Sequence, residues 1–214
     1  MRKNRKKWIA TVMSGILCAM IFSGCAAEEP SVSSEKINDS QPDSSQSDGT
    51  SEKNSDETSK NTVGEFSTQD VYGNAYTKDI FKDYDLTLVN VYTTWCTPCV
   101  QEMPDLDKLY QQVKDEGVNV IGVVLDVLNE KGEIVQEDLG RAQDLVERTG
   151  VSYLTLLPDS TYMNGRLIGI EGFPETFFVD KDGNIVGETY SGSGDFDYWL
   201  SVVETELAKV KGGD

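Results

Sequence analysis

The 214-residue sequence contains no histidine and only four cysteines, at positions 18, 25, 96 and 99. A Cys-x-x-Cys pair can belong to a zinc site, but such a site needs further histidine or cysteine ligands. Only Cys96 and Cys99 lie in the roughly 150 residues whose composition is typical of a folded domain. We therefore expect no metal site within a single chain.

Basic residues are scarce, since 19 lysines and arginines stand against 37 aspartates and glutamates, for a net charge of -18. From residue 63 onward the sequence has 11 basic and 28 acidic residues. A surface of this charge is repelled by nucleic acid and by anionic lipid headgroups. We expect no nucleic-acid partner, and membrane association must then depend on an anchor.

The sequence has one long apolar run, near its N-terminus. Residues 2–7 carry five basic residues and no acid, and residues 8–22 form an apolar run of fifteen. This order is typical of a secretory signal, and the run is shorter than the roughly 20 residues that span a bilayer. Ser23-Gly24-Cys25 then resembles a bacterial lipobox in which the cysteine is lipidated, although Phe22 stands where Leu, Val or Ile is usual. An uncleaved anchor and an ordinary signal-peptidase site are the alternatives.

These features predict three regions. The lipoprotein signal covers residues 1–24, and residues 25–62 form a polar segment that begins with the lipidated Cys25. That segment has almost no large apolar residues and cannot bury enough surface to offset the entropy of ordering. We expect a flexible tether, which either helps the domain to reach its partners or serves only as a spacer. The folded domain spans residues 63–214.

The chemistry of the folded part centres on Trp95-Cys96-Thr97-Pro98-Cys99. The apolar run Leu86–Tyr92 precedes this motif and an amphipathic stretch, residues 100–116, follows it, which predicts a strand, a tight turn and a helix. A thiol at a helix N-terminus faces unpaired backbone N–H groups, so we expect a lowered pKa for Cys96 and nucleophilic attack by its thiolate. Cys99, one turn later, is suited to resolve a mixed disulfide.

The order of strand, WCTPC and helix resembles the thioredoxin fold and, with its flanking residues, the extracytoplasmic TlpA/ResA-like family. The resemblance covers residues 63–211. It implies an α/β domain with a central mixed β-sheet flanked by helices and an N-terminal hairpin extension, which the alternation in residues 66–76 also indicates. The run Val118–Asp126 is typical of a second, buried parallel strand, and an insertion is expected after it. Residues 160–168 fit one or two helical turns.

A second diagnostic stretch is Phe173-Pro174-Glu175-Thr176-Phe177. In the thioredoxin fold the proline at this place is cis and packs against the CxxC motif, and its neighbour Phe173 then offers a backbone edge to an extended substrate. Glu175 matches the PETF sequence of cytochrome c maturation members, where an acidic active site recurs; a solvated strand residue is the alternative. The resemblance thus implies a substrate-binding face made of Trp95, Thr97, Pro98, Phe173, Pro174 and Glu175.

Glu102 lies three residues beyond Cys99 on the same helix. The family has an acid at this spacing, with a proposed role in exchanging the Cys99 proton, and a plain surface carboxylate is the alternative. Asn90 stands six residues before Cys96, where cytoplasmic thioredoxins keep a buried aspartate. This departure makes Glu102 the stronger proton acceptor, although Asn90 could simply satisfy a hydrogen bond within the strand or turn.

Together these features predict an extracytoplasmic thiol-disulfide oxidoreductase, lipid-anchored to the bacterial cell membrane, that reduces disulfides of exported proteins. The resemblance implies a CcdA-like membrane electron donor and, as substrate, an apocytochrome c or a methionine sulfoxide reductase. We expect a monomer whose only redox group is the Cys96–Cys99 disulfide, with no added cofactor.

Three other functions are weighed against this one. A disulfide-forming oxidase differs only in reduction potential, which the sequence does not fix. A thiol peroxidase is disfavoured, because Thr93 and Cys96 have the peroxiredoxin spacing but Val89 stands where that signature has proline. A non-enzymatic module that holds haem or a metal lacks ligands.

Overall fold

The computed structural model describes residues 61–212. The predicted signal segment, Cys25 with its predicted lipid, and the predicted tether up to residue 60 lie outside the described residues. Within residues 61–212, no helix is long and apolar enough to cross a membrane.

A five-stranded mixed sheet forms the centre of the domain, with the spatial order β5-β4-β3-β6-β7. Strands β3, β4 and β5 are parallel to one another, and β6 runs antiparallel to both β3 and β7. The strands are β1 Ser67–Gln69, β2 Ala75–Thr77, β3 Leu86–Tyr92, β4 Val118–Val124, β5 Leu154–Leu156, β6 Glu175–Asp180 and β7 Ile185–Ser191. The helices are α1 Thr97–Val113, α2 Gln136–Thr149 and α3 Phe196–Gly212, with short 3₁₀ turns at Lys78–Ile80 and Lys114–Glu116.

The predicted strands around the dithiol are confirmed. Every residue of β3 and of β4 is buried, as expected for parallel strands that are covered on both faces. Their alternate residues separate two apolar clusters. Leu88 of β3 packs with the helices, in a cluster that includes Leu106 of α1 and Trp199 of α3. Val89 faces the other cluster, which includes Phe81 and Phe177.

The predicted N-terminal hairpin is present as β1 and β2, which pair in antiparallel register. The hairpin also joins the edge of the main sheet, since Val71 N–H donates to Thr155 O at 3.1 Å and Leu157 N–H donates to Gln69 O at 2.9 Å. It thereby covers the outer edge of β5, whose backbone groups would otherwise be open to another chain.

The expected insertion after β4 is a short loop in which Leu128 bridges to Ile134. At the start of the described chain, Val63 N–H and the Thr62 hydroxyl both donate to Gly183 O, at 3.0 and 2.9 Å. Asn61 O accepts a bond from Ile185 N–H at 2.8 Å. The last two residues of the predicted tether therefore pair with the turn between β6 and β7.

The expectation of a helical turn at residues 160–168 is wrong. Tyr162, Met163 and Asn164 have φ angles of 52°, 50° and 56°, so this segment turns with left-handed backbone angles. The Asp159 carboxylate holds the turn, because it accepts bonds from Thr161 N–H at 2.7 Å and from Met163 N–H at 2.6 Å. Burial of the Met163 side chain fixes the segment to the sheet.

Candidate active site

Cys96 and Cys99 form a disulfide at the N-terminus of α1, with their Cα atoms 5.3 Å apart. Cys96 is the N-cap residue, and its Sγ accepts a bond from Cys99 N–H at 3.3 Å. Pro98 lies in the first helical turn, where its missing N–H costs little. Cys96 is 4% exposed and Cys99 is fully buried, which makes Cys96 the sulfur that a partner can reach first.

The Phe173–Pro174 peptide is cis, as the resemblance implied. The Trp95 ring meets the Phe173 ring edge-on, with centroids 6.1 Å apart, so the structure brings the residue before Cys96 together with the residue before the cis proline. Trp95 is 70% exposed and Pro174 is buried. Of the other residues predicted to bind substrate, Thr97 and Pro98 are exposed, and Phe173 and Glu175 are half-buried.

Glu175 is not a free, solvated carboxylate. It forms an ion pair with Arg166 at 2.8 Å, and the two side chains are only 16% and 17% exposed. Arg166 also donates to the Thr189 hydroxyl at 3.2 Å, and its guanidinium group lies 4.1 Å from the centre of the Phe177 ring. The charge that was expected to make this face acidic is therefore compensated by an arginine that the sequence analysis did not identify.

Glu102 is buried, at 2% exposure, so the alternative of a plain surface carboxylate is wrong. Its Oε1 accepts a bond from Asn90 Nδ2 at 2.9 Å. Its Oε2 accepts bonds from Gly194 N–H at 3.0 Å and from Trp199 Nε1 at 3.1 Å. Burial raises the pKa of the Glu102 carboxyl, and the accepted hydrogen bonds offset only part of that effect. The structure thus contains a buried acid, one helical turn from Cys99, that takes up a proton more readily than an exposed glutamate.

Asn90 explains how this carboxylate is accommodated. Its Nδ2 donates to Thr176 Oγ1 at 3.1 Å as well as to Glu102, so it links β3 both to α1 and to β6. The Asn90 Oδ1 atom is buried without a hydrogen-bond partner among the described residues. An aspartate at this position would place a second carboxylate within hydrogen-bond distance of Glu102, and both could not ionise readily. A neutral amide at position 90 therefore donates a hydrogen bond to the acid on α1 without adding a second charge.

A contact between Asp126 and Thr94 also forms part of the site, and the sequence analysis did not predict it. Asp126 lies beyond the end of β4, and its Oδ1 and Oδ2 both accept a bond from Thr94 N–H at 3.0 Å. Its Oδ2 also accepts the Thr94 hydroxyl at 2.6 Å. The two residues are 32 positions apart in sequence, and only the parallel pairing of β3 with β4 brings them together. Among residues 61–212, no group of three or more cysteine, aspartate or glutamate side chains is arranged to hold a metal ion.

The fold and this site define a thioredoxin-fold protein with a dithiol at a helix N-terminus. The family model described as Redoxin matches residues 42–198, and the chain belongs to that family. The thiol:disulfide interchange protein DsbE of Haemophilus influenzae is 31% identical over 135 residues, which cover 63% of this chain and 66% of the relative. The thiol-disulfide oxidoreductase ResA of Bacillus thuringiensis is 29% identical over 98 residues, which cover 46% and 50%. The predicted resemblance to ResA is thereby confirmed, and the chain spans half to about two thirds of these relatives.

Among solved structures, a thiol:disulfide interchange protein of the thioredoxin family from Chlorobium tepidum has a TM-score of 0.56 to this chain. Its sequence is 22% identical, and the match covers 69% of this chain and 96% of that protein. This likeness confirms the predicted thioredoxin fold.

Proposed function

We propose that the protein is an extracytoplasmic thiol-disulfide oxidoreductase that reduces disulfides in exported proteins. The observation that carries the proposal is the Cys96–Cys99 disulfide at the N-terminus of α1, next to the aromatic pair that joins Trp95 to Phe173 beside Pro174. The names of the DsbE and ResA relatives, a thiol:disulfide interchange protein and a thiol-disulfide oxidoreductase, support thiol-disulfide exchange.

The reaction begins with the reduced form. The backbone N–H groups and the dipole at the start of α1 favour the thiolate of Cys96. This thiolate attacks one sulfur of the client disulfide, forms a mixed disulfide and releases the other client sulfur as a thiolate. The Cys99 thiolate then attacks Cys96 Sγ, which restores the Cys96–Cys99 disulfide and releases the second client sulfur. Two electrons pass to the client, whose sulfurs take up two protons.

Glu102 supplies a nearby place for the Cys99 proton. Its burial and raised pKa make it a better proton acceptor than an exposed glutamate, and it lies one turn beyond Cys99 on α1. All three hydrogen bonds that it accepts come from groups fixed by packing, on β3 and at the start of α3. The proton therefore passes between Cys99 and Glu102 through a bridging water molecule, and the carboxylate does not move.

The remaining parts of the proposal concern anchoring and partners. Lipidation at Cys25 attaches a monomeric domain to the outer face of the cell membrane, and the acidic charge of the domain leaves the lipid as its main membrane contact. A CcdA-like membrane protein returns electrons to the Cys96–Cys99 disulfide, and the enzyme needs no further cofactor. The client is an apocytochrome c or a methionine sulfoxide reductase. The Arg166–Glu175 ion pair weakens the argument from acidity for the cytochrome route.

The decisive experiment is the reduction potential of the Cys96–Cys99 pair, measured on the chain from residue 25 onward with Cys25→Ser to remove the third thiol. Equilibration in dithiothreitol and glutathione buffers gives the value. A strongly reducing potential supports the proposal, and a strongly oxidising one replaces it with disulfide formation. In an insulin reduction assay we expect Cys96→Ala to abolish turnover and Cys99→Ala to accumulate mixed disulfides. Full turnover by Cys96→Ala would refute the mechanism.

A further inference from the structure

We propose that Asp126 is a positioning residue that keeps Cys96 in its reactive place when the disulfide is open. The inference rests on the proposed function, because it concerns the reduced state that attacks a client. A residue at the end of β4 thus takes part in a reaction whose sulfurs lie at the N-terminus of α1.

Asp126 accepts hydrogen bonds from Thr94, which lies in the turn that leads into the dithiol. Both of its carboxylate oxygens accept the Thr94 N–H, and one of them also accepts the Thr94 hydroxyl. Hydrogen bonds to an ionised acceptor are about twice as strong as those between neutral groups. The strand pairing continues up to this point, since Leu125 N–H donates to Tyr92 O at 3.0 Å. The sheet therefore holds the Asp126 carboxylate beside the turn that follows β3.

The turn has few other restraints of its own. Thr93 O accepts Cys96 N–H at 3.2 Å, which closes the turn locally but does not tie it to a neighbouring element. The Thr93 hydroxyl is buried and has no hydrogen-bond partner in the described part of the chain. Trp95 is 70% exposed, and its edge-on contact with the Phe173 ring, with centroids 6.1 Å apart, reaches the segment before Pro174 and not the strands β3 and β4. The contact with Asp126 thus fixes the middle of the turn to the sheet.

The redox state decides how much this contact matters. In the oxidised protein the Cys96–Cys99 bond ties the end of the turn to the first turn of α1. Reduction removes that covalent tie. Cys96 O then still accepts Val100 N–H at 3.1 Å, which holds it to α1, and the hydrogen bonds of Thr94 hold the turn to the sheet. Attack on a disulfide requires the sulfur to be held in line with its target, and small misplacements of reacting groups are costly in rate. Loss of Asp126 should therefore slow attack by the reduced protein more than it slows the opening of the protein's own disulfide.

The test compares two second-order rate constants in each variant. The first is for the reduced protein attacking glutathione disulfide, and the second is for the oxidised protein being reduced by dithiothreitol. We expect Asp126→Ala to lower the first about tenfold and to change the second less than twofold. Asp126→Asn keeps one oxygen that accepts the Thr94 N–H, so it should lower the first by a smaller factor. Removal of a negative charge favours the Cys96 thiolate but lowers the nucleophilicity of that thiolate. The rate constants are therefore measured over a series of pH values and compared per thiolate, which isolates the effect of position.

Two further variants and a matched control sharpen the comparison. Thr94→Val removes the hydroxyl bond and should give an intermediate loss, whereas Thr94→Ser keeps both donors and should react like the wild type. Asp107→Asn is the control, because Asp107 likewise accepts both the N–H and the hydroxyl of one residue, Ser152, at 2.6 and 2.7 Å, away from the dithiol. It should leave both rate constants unchanged. Equal losses in the two rate constants of the Asp126 variants, or no loss, would overturn the inference.

A measurement that needs no turnover separates this inference from the proposed function. Hydrogen exchange of the Thr94 amide, followed by NMR, should be slow in both redox states of the wild type. In Asp126→Ala it should stay slow in the oxidised protein and become at least tenfold faster in the reduced protein. Equal exchange in the two states of the variant contradicts the inference. Failure of the wild-type protein to react with disulfides contradicts only the proposed function.

Discussion

The Asn90 amide donates to Glu102 Oε1 at 2.9 Å, and this bond joins the central strand to the helix that carries Cys99. Neither side chain is exposed by more than 2%. The pair places a neutral donor on β3 and an acid on α1, in a buried region where ionisation of a carboxyl group is unfavourable. Its geometry gives predictions that separate proton transfer from packing.

Glu102→Gln should change the pH dependence of the reaction. Burial raises the pKa of Glu102 above its ordinary value of 4.5, so the wild-type rate of client release should show a step in that higher range. The step should be absent from Glu102→Gln, and Glu102→Asp should retain one. Stopped-flow measurement between pH 4 and 8 tests this expectation. A pH profile shared by the wild type and Glu102→Gln would remove Glu102 from proton transfer.

The same substitution should have a pH-dependent effect on stability. Because the pKa of Glu102 is higher in the folded than in the unfolded state, its contribution is fully present below the unfolded value and is lost as pH rises through the folded value. The difference in free energy of unfolding between wild type and Glu102→Gln should therefore shift against the wild type as pH rises through this window. Urea unfolding at a series of pH values measures it. A constant difference would mean that Glu102 does not titrate on unfolding.

Asn90→Asp should bring two carboxylates within hydrogen-bond distance and make them share a proton. Two acids this close titrate as a coupled pair, with one apparent pKa strongly raised. We expect the step in the pH profile to move upward and the free energy of unfolding at pH 7 to fall by about 1–3 kcal/mol. Asn90→Leu is the control, since it removes the hydrogen bond without adding a charge. Because the bond from Asn90 lowers the pKa of Glu102, Asn90→Leu should also move the step upward. If Asn90→Asp moves the step no further than Asn90→Leu does, the coupling is absent.

The strands and the dithiol could be predicted because their signals are local. The apolar run Leu86–Tyr92 matches β3, and the order of strand, CxxC and helix fixes where Cys96 must lie. The side chains that complete the site have no such signal. Arg166 pairs with a residue nine positions away, and Asp126 with one 32 positions away. Charged residues at such spacings are common, and only the folded sheet selects these pairs.

One or two helical turns were expected at residues 160–168, between β5 and β6, but tertiary contacts decide the conformation of this segment. Left-handed angles are unfavourable for residues with a side chain. Here the bonds to Asp159 and the burial of Met163 outweigh that preference. Arg166 follows the residues with left-handed backbone angles, so this turn places its guanidinium group beside Glu175.

Arg166→Ala should expose the charge of Glu175 and loosen the loop that leads to Pro174. The ion pair is largely buried, so we expect a loss of about 1–3 kcal/mol in the free energy of unfolding, between the values of exposed and buried pairs. With a peptide client, KM should rise several-fold. The value of kcat should change much less, because Arg166 does not contact Cys96 or Cys99. The double variant Arg166→Ala with Glu175→Gln should recover part of the stability. An equal loss in kcat and no change in KM would contradict a role in client binding.

Gly194→Ala should disturb Glu102 from a distance. A Cβ atom at Gly194 would overlap Tyr198 Cδ1 and would lie 2.9 Å from Trp199 Nε1, so the side chain of Tyr198 and that of Trp199, which donates to Glu102, must move. We expect a lower melting temperature and a shifted pH step in client release. Gly140→Ala is the matched control: it lies in α2 with no heavy atom of the described residues within 4 Å of its added Cβ, other than its own helix backbone. Alanine there should stabilise the protein by about 0.5–1 kcal/mol and leave the pH profile unchanged. A Gly194→Ala protein that loses stability but keeps the wild-type pH step would show that the Trp199 bond does not tune Glu102.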